Sequence, residues 1–250
     1  MRVVVHGGGR MARQVANVID EAGHSLLALV SRNRPDWLTG VDYHESLDAL
    51  SELPDAVIDF TLSGGTSQAA DWCRARLVAL VSGTTALVED DRESLRRASE
   101  LVPVLWAPNL ARGPNLLMRT VHETAHALGD SASVEVLDIH HFEKKDAPSG
   151  TALLLAQAIA SAWQVPLDDV LDLGETARSE PRAGRISCIS RREGDVIGQH
   201  RVTFKTAEDT LVLSHDAADR SIYARGSIEA AQWLTQQPAG LYTGADWLSQ

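Results

Sequence analysis

Cysteine and long apolar runs are scarce in this sequence. Its 250 residues include only two cysteines, Cys73 and Cys188, and their spacing is not that of a metal site. So few cysteines are typical of proteins from a reduced compartment. No apolar run is long enough to span a bilayer, and the chain enters a predicted strand at residue 2, which leaves no room for a signal peptide. We therefore expect a cytoplasmic protein that has no membrane partner.

Positive charge is also in deficit. Lysine and arginine total 23 against 34 for aspartate and glutamate, which gives a formal net charge of −11 at pH 7. This balance argues against nucleic acid or an anionic membrane as a general partner, but it does not exclude local basic pockets for small anions. The length and the ordinary apolar content are sufficient for one large domain or two smaller ones.

The N-terminal half opens as strand, glycine turn and helix. Residues 2–5 are mostly apolar, residues 6–13 contain three consecutive glycines, and the apolar residues that follow repeat at helical spacing. This order is typical of a dinucleotide-binding unit, in which the glycines let a pyrophosphate approach the helix N-terminus. An ordinary strand-to-helix turn can contain the same glycines, so this turn alone does not decide between the two.

Further buried strands are predicted at residues 25–30, 56–60, 77–81 and 103–106, with helices between them. The last three end in polar segments that contain Thr61, Thr84 or Asn109. Ligands of open parallel sheets bind beyond the carboxyl ends of the strands. We therefore predict an α/β fold with a doubly wound parallel sheet of the Rossmann type, and we take these polar ends as candidate ligand contacts.

The end of the second strand indicates the type of cofactor. A carboxylate at this position binds the adenosine ribose hydroxyls, whereas arginine binds a 2′-phosphate. Here the sequence is Ser31-Arg32-Asn33-Arg34, without a carboxylate. We predict that NADPH is preferred over NADH, with Arg32 as the clamp and Arg34 as a second candidate. The alternative is a solvated basic loop.

Residues 133–163 form the most informative stretch of the chain, and they predict a strand, a polar loop and a helix. Period-two alternation places Asp138 and His140 on one face of the strand and His141 on the other. The loop contains Lys144, and Ser149 is a good N-cap for the helix that follows. A helix N-terminus beside a lysine is typical of an anion site, and imidazole can donate a proton near neutral pH. The alternative is a capped helix with solvated lysines and a core histidine.

The C-terminal half contains predicted strands at 185–190, 198–205 and 210–217, separated by short turns. We expect these strands to form a mostly antiparallel or mixed open sheet with the strand that bears His140, in a smaller α+β domain. His200 is interpreted as structural, because nothing anionic or metal-like is expected around it. A metal site at His140, His141 and Glu143 is not expected, because neighbouring strand residues point opposite ways.

Residues 140–151, HHFEKKDAPSGT, closely resemble the signature H-H-x-x-K-x-D-A-P-S-G-T of dihydrodipicolinate reductases. The resemblance extends over essentially the whole chain. It is weaker at the glycine turn, where the family usually reads G-x-G-G-R-M-G and this chain has His6 at the first position and Ala12 at the last. Arg112 also departs from the family, which more often has a small apolar residue there.

The resemblance implies an NAD(P)H-dependent 4-hydroxy-tetrahydrodipicolinate reductase of the diaminopimelate and lysine pathway, acting on a small dicarboxylate ring with a conjugated imine. His140 is the implied proton donor, and Lys144 shares or replaces that role. The implied substrate-binding residues are His141, Lys144, Ser149, Gly150, Thr151 and Arg220. The implied cofactor-binding residues are Gly8, Gly9, Arg10, Met11, Arg32, Phe60, Thr61, Gly83, Thr84, Thr85, Ala107, Pro108 and Asn109.

The resemblance also implies a discontinuous nucleotide domain of residues 1–111 and 220–250. Residues 112–219 would then form a substrate-binding and oligomerisation domain that builds a homotetramer. Two alternatives stay open. One is a diverged oxidoreductase that reduces a related cyclic imine, which a substrate panel would identify. The other is a non-enzymatic NADPH-sensing protein, which would have no reason to keep His140, Lys144 and the Ser149–Gly150–Thr151 segment together.

Overall fold

The structure, a computed structural model, describes residues 1–173 and 182–249. The chain forms two compact units, one of Met1–Arg112 with Arg220–Gln250 and the other of Gly113–Asp219. Arg112, which we placed with the second domain, belongs to the first unit. Among the described residues, no helix combines the length and the apolar character needed to cross a membrane.

The first unit is built on a parallel sheet of seven strands in the order β12-β6-β5-β4-β1-β2-β3. The strands are β1 (Arg2–His6), β2 (Ser25–Val30), β3 (Asp42–His44), β4 (Ala56–Asp59), β5 (Ala79–Ser82), β6 (Pro103–Trp106) and β12 (Gly240–Tyr242). The helices are α1 (Arg10–Val18), α2 (Gly65–Arg76), α3 (Glu89–Ser99), α7 (Ser221–Leu234) and α8 (Gly244–Leu248), and a short 3₁₀ turn covers Leu47–Ala49.

Both faces of this sheet are buried. Val3 and Val5 belong to a core that also contains residues of α1 and α7, whereas Val4 points to a second core with residues of α2 and α3. This alternation follows from the period of two along a strand. Helices on both faces of a parallel sheet confirm the predicted doubly wound α/β fold.

The start of β5 differs from the prediction. We expected a strand from residue 77, but Leu77 ends α2 in a left-handed conformation with φ 58°, and β5 begins at Ala79. Left-handed residues commonly close a helix because they turn the chain out of its axis. The apolar character of Leu77 and Val78 therefore indicated a strand two residues too early.

The second unit contains a mixed sheet of five strands in the order β11-β10-β7-β9-β8. Its strands are β7 (Ser133–His140), β8 (Leu171–Leu173), β9 (Ile186–Arg192), β10 (Gln199–Lys205) and β11 (Thr210–Asp216). Its helices are α5 (Gly150–Ala162), α6 (Leu167–Val170) and α4 (Arg112–Leu128), of which the first residue belongs to the first unit.

The pairing in this sheet is only half antiparallel. β10 pairs antiparallel with β7 and β11, but β9 runs parallel to β7 and to β8. Short turns favour direct pairing of successive strands, but β7 lies between β9 and β10. Of the two expected alternatives, mostly antiparallel and mixed, the sheet is the mixed one.

Candidate active site

A fully buried carboxylate, Asp138, lies near the carboxyl end of β7. Its Oδ2 accepts the backbone N–H of Ser149 at 3.0 Å and the hydroxyl of Ser190 at 3.2 Å. Its Oδ1 lies 3.0 Å from Nδ1 of His140 and 3.4 Å from Nε2 of His200. Burial opposes ionisation, but the two imidazoles beside Oδ1 and the hydrogen bond from Ser149 outweigh it and hold the pKa of Asp138 far below its ordinary value. The carboxylate is therefore a fixed negative charge inside the unit.

His140 is the last residue of β7, and it is buried on the same face as Asp138, as predicted. Its Nδ1 faces the Asp138 carboxylate, and its Nε2 faces Gly198. A Cβ at Gly198 would lie only 3.1 Å from Nε2, so the glycine keeps the space beside that nitrogen open. With Nδ1 held by the carboxylate, Nε2 is the nitrogen that can exchange a proton with a ligand.

The reason for interpreting His200 as structural was wrong, because an anion, the Asp138 carboxylate, does lie beside it. His200 stands opposite Asp138 in the antiparallel pairing of β10 with β7, and it is 3 % exposed. Its ring also lies edge-on to that of His140, with the centroids 5.4 Å apart. No local sequence pattern reveals this, because the two strands are some sixty residues apart and only their register brings these side chains together.

The loop after β7 is held in place by charge. Nζ of Lys144 lies 2.9 and 2.8 Å from the two carboxylate oxygens of Asp146, and hydrogen bonds from Lys144 lower the pKa of Asp146. Arg192, the residue opposite His140 on β9, donates to the backbone carbonyls of Lys144 and Asp146. Sequence reasoning missed Arg192, because its place beside the loop depends on the parallel pairing of β7 with β9.

The N-terminus of α5 agrees with the prediction in one respect and differs in another. Ser149 is the N-cap, and its hydroxyl accepts the backbone N–H of Ala152 at 3.2 Å, which confirms the capping role. However, the N–H of Ser149 donates to Asp138, so it is not available to a ligand as expected. Gly150 is exposed at the first helical position, with Thr151 next to it, while His141 is partly exposed at the start of the loop.

In the first unit, the predicted cofactor residues lie at the carboxyl ends of the parallel strands. They follow β1 (Gly8, Gly9, Arg10 and Met11), β2 (Arg32), β4 (Phe60 and Thr61), β5 (Gly83, Thr84 and Thr85) and β6 (Ala107, Pro108 and Asn109). The carboxyl ends of parallel strands share one edge of a sheet, which is where ligands of such folds bind. Arg220 is exposed at the N-cap of α7, in the same unit.

A second buried carboxylate, Asp59, joins these strand ends, and sequence reasoning did not identify it. It accepts hydrogen bonds from the hydroxyls of Thr61, Thr66, Ser82 and Thr84 at 2.6–3.0 Å. It also accepts the backbone N–H of Thr61 at 3.1 Å. These bonds fix the ends of β4 and β5 and the first turn of α2.

His6, the first departure from the family pattern, is explained by this carboxylate. Its Nδ1 lies 3.6 Å from Oδ1 of Asp59, and the ring is 7 % exposed. Burial lowers the pKa of His6, although the charge of Asp59 opposes that shift. The glycine that the turn does require comes next, at Gly7, where φ is +125° and a Cβ would lie 2.6 Å from the carbonyl oxygen of Phe60.

The start of α1 fits a dinucleotide pyrophosphate. Gly9 caps the helix without a side-chain hydrogen bond, and its first turn contains no acidic residue. Within the part of the chain that the structure describes, a Cβ built at Gly9 would meet no atom within 4 Å, whereas one at Gly8 would meet Ser31 and Pro35 at 2.9 Å. The space beside Gly9 is therefore open, and no carboxylate of the first turn would repel a phosphate at this helix N-terminus.

Arg112, the other departure, forms a surface ion pair in which Nη1 lies 3.2 Å from Oε2 of Glu229. Both side chains are largely exposed, and such pairs contribute only about 0–1 kcal/mol to stability. This change therefore concerns the surface of the first unit and not the residues of the β7 motif.

Comparison with known proteins agrees with this geometry. Residues 1–110 match the family described as dihydrodipicolinate reductase, N-terminus, and residues 113–248 match dihydrodipicolinate reductase, C-terminus. The 4-hydroxy-tetrahydrodipicolinate reductase of Zymomonas mobilis is 34% identical over 246 residues, covering 98% of this chain and 95% of its own. That of Psychrobacter arcticus is 34% identical over 259 residues, covering 98% and 93%.

Solved structures show the same fold. A dipicolinate-bound dihydrodipicolinate reductase from Paenisporosarcina sp. TG-14 has a TM-score of 0.84 at 23% identity, covering 99% of both chains. A diaminopimelate (DAP) dehydrogenase of C. glutamicum, solved in complex with DAP, has a TM-score of 0.59 at 14% identity, covering 98% of this chain and 93% of its own. The matches of both family models and the identity to curated relatives show that the chain belongs to the dihydrodipicolinate reductase family.

Proposed function

We propose that this protein reduces 4-hydroxy-tetrahydrodipicolinate with loss of water, or the dihydrodipicolinate formed from it by that loss, to tetrahydrodipicolinate in the diaminopimelate and lysine pathway. The observation that carries the proposal is the buried Asp138–His140 pair beside the Lys144 loop and the N-terminus of α5. A proton donor, a cation and a helix N-terminus occur together in one unit, as a small dicarboxylate that must accept a proton would require.

The first unit is proposed to bind a nicotinamide dinucleotide and the second to bind the substrate. Gly8, Gly9, Arg10 and Met11 would hold the pyrophosphate, and the ends of β4, β5 and β6 would hold the nicotinamide side. We propose a preference for NADPH over NADH, because Arg32 is exposed after β2 and no carboxylate stands there. When bound, the reduced cofactor supplies the hydride.

The residues of the second unit would supply the proton and neutralise charge. His140 donates from Nε2, while the Asp138 carboxylate at Nδ1 fixes the ring and stabilises its protonated form. Lys144 and the N-terminus of α5, at Gly150 and Thr151, bind substrate carboxylates, and Asp146 holds the lysine until substrate arrives. A well-placed general acid typically contributes about 10²–10⁴-fold to the rate.

The test is a coupled assay. The synthase that precedes the reductase would generate the substrate from pyruvate and aspartate semialdehyde, and the loss of nicotinamide absorbance would be followed with NADPH and then with NADH. Rapid oxidation that depends on this protein would support the proposal. If no oxidation occurs although NADPH binds, the reductase proposal is wrong for this substrate, and a panel of related cyclic imines would be tested next.

The oligomeric state and the cellular location are proposed on the family resemblance alone. We propose a homotetramer in the cytoplasm. Light scattering after size-exclusion chromatography measures the first directly, and a mass near four times 27.0 kDa is the expected result. A monomeric or dimeric mass would contradict it.

A further inference from the structure

One oxygen of the Asp138 carboxylate lies close to two imidazole rings. Nδ1 of His140 and Nε2 of His200 both approach Oδ1, at 3.0 and 3.4 Å, while Oδ2 is occupied by Ser149 and Ser190. All three side chains are more than nine-tenths buried. The two imidazoles therefore compete for the same oxygen, and an N–H of His200 directed at Oδ1 weakens the interaction of that oxygen with His140.

We propose that His200 is a positioning residue for His140, acting through the Asp138 oxygen that both imidazoles share. This inference rests on the proposed role of His140 as proton donor. His200 itself need not touch the substrate. It holds Asp138 from the β10 side, so the carboxylate stays aligned with Nδ1 of His140 and Nε2 of His140 stays directed towards Gly198.

The chemistry of His200 is not that of a residue chosen for packing. Its ring is 3 % exposed, and its Nδ1 is buried with no hydrogen-bond partner among the described residues. A buried polar atom without a partner is destabilising, and a phenylalanine of similar volume would avoid that penalty. The contacts of Nε2 therefore explain why a histidine occupies this position: Nε2 faces Asp138 Oδ1 and lies 3.4 Å from the hydroxyl oxygen of Ser149.

Removing His200 should shift the pH dependence of kcat in a predictable direction. The reductase needs His140 protonated, so kcat should fall as the pH rises. Without a donor at position 200, the whole charge of Oδ1 would act on His140 and favour its protonated form, so the fall would move to higher pH. Among the described residues, the other titratable or charged groups around the pair are Arg192 and Cys188 on β9, His215 stacked on His200, and Lys144 and Asp146 in the loop.

A matched pair of substitutions separates positioning from packing. His200→Gln keeps an amide N–H near the place of Nε2, whereas His200→Phe keeps the ring volume and removes the donor. We expect His200→Phe to lower kcat roughly 10- to 100-fold, with the KM for NADPH unchanged, because small displacements of a catalytic group have effects of this size. It should also move the alkaline fall of kcat upward by roughly half a pH unit. His200→Gln should keep kcat and the pH of its alkaline fall close to those of the wild type.

Gly198 provides an independent test of the same arrangement. A methyl group there would lie 3.1 Å from Nε2 of His140 and 3.7 Å from Cε1 of His200. Gly198→Ala should therefore lower kcat by pressing on the proton-donating nitrogen, without changing the pH at which kcat falls. His122→Phe, on the exposed face of α4, is the control for replacing a histidine by phenylalanine. Thermal unfolding of each variant shows whether it is folded.

The possible outcomes decide between the proposal and its rivals. If folded His200→Phe keeps wild-type kcat and pH profile, or if Gln and Phe are equally impaired, the positioning role is wrong. One carboxylate oxygen of Asp138 and one ring nitrogen each of His140 and His200 also lie within 4.8 Å of one another, as in a metal site. Activity that is lost with a chelator and restored by Zn²⁺ would assign the cluster to a metal instead.

A failure of the proposed reductase function would look different. The ¹⁵N chemical shifts of the His140 ring report its tautomer without any substrate. If they change in His200→Phe and not in His200→Gln, the positioning holds even where the coupled assay shows no turnover. If the assay shows turnover and the ring signals do not change, the reductase function stands and the positioning role is overturned.

Discussion

The two units each contain a buried carboxylate with a histidine beside it, but the partners of the two carboxylates differ. In the first unit, Asp59 accepts four hydroxyls, and His6 lies 3.6 Å away. In the second, Asp138 accepts two groups at Oδ2 and faces two imidazoles at Oδ1, with His140 at 3.0 Å. Both carboxylates are fully buried.

The difference separates a structural charge from a chemical one. The hydroxyl partners of Asp59 neither gain nor lose a proton near neutral pH, and burial lowers the pKa of His6, so we assign this carboxylate to holding the strand ends together beneath the proposed dinucleotide site. Imidazole can exchange a proton in that range, and in the proposed mechanism the charge of Asp138 stabilises the proton that His140 donates. Burial and the presence of a histidine are therefore not sufficient for catalysis, and the remaining partners of the carboxylate decide its role.

The strongest test of this comparison replaces each histidine in turn. His140→Ala should lower kcat by roughly 10²–10⁴-fold, because the general acid is lost, while NADPH affinity stays nearly unchanged. His6→Ala should change kcat by only a few-fold, because burial lowers the pKa of His6 and so disfavours a proton on that ring. Steady-state rates and cofactor titrations measure both. Wild-type turnover in His140→Ala would refute its role as the acid.

The next effect concerns the two adjacent lysines of the loop. Lys144→Ala should raise the substrate KM and lower kcat, together reducing kcat/KM roughly 10- to 100-fold, because a charge-assisted contact to a carboxylate is lost. Lys145→Ala is the matched control: this lysine is exposed one position away and should behave like the wild type. Equal losses in both variants would show that general positive charge, and not Lys144 in particular, attracts the substrate.

A smaller effect is expected on the free energy of unfolding at acid pH, which should differ between the carboxylates. Hydrogen bonds hold the pKa of Asp138 below the unfolded value of about 3.9, so its stabilisation is complete above about pH 4 and is lost as the pH falls towards the folded value. Asp138→Asn should cost roughly 1–3 kcal/mol at pH 7 and should lose less stability than the wild type below pH 4. Urea unfolding at pH 7, 4 and 3 measures this.

Two other substitutions sharpen the acid test. Asp146→Asn removes a carboxylate whose pKa is also lowered, by Lys144, but whose side chain is 62% exposed, so water screens it and the effect should be smaller. Asp59→Asn should be tolerated better than Asp138→Asn at neutral pH, because its hydroxyl partners can turn and accept from an amide. Parallel pH curves for the wild type and Asp138→Asn would contradict the assignment of this charge.

Local patterns predicted the parts of this site that lie along one stretch of chain. The alternation of β7 correctly placed Asp138 and His140 on one buried face, and the capping residue Ser149 was correctly identified. What could not be predicted depends on strand pairing. His200 meets Asp138 only because β10 lies antiparallel to β7, and Arg192 reaches the loop only because β9 lies parallel to it. Neither pairing can be derived from the local sequence, so both contacts were missed.

The smallest expected effect lies in the first unit and should appear in binding alone. Arg32→Ala should raise the KM for NADPH about 10-fold, because an exposed guanidinium contact to a phosphate contributes roughly 1–2 kcal/mol, and should leave the KM for NADH and both kcat values nearly unchanged. Arg34→Ala tests the second candidate: its guanidinium lies 5.6 Å from the centroid of the Tyr43 ring, so we expect a smaller rise in the KM for NADPH than in Arg32→Ala. Initial rates at subsaturating cofactor measure these effects, and equal wild-type rates with both cofactors would contradict the NADPH preference. A loss of kcat in Arg32→Ala would contradict the proposal that the first unit binds the cofactor and the second supplies the proton, because a residue of the first unit would then affect more than binding.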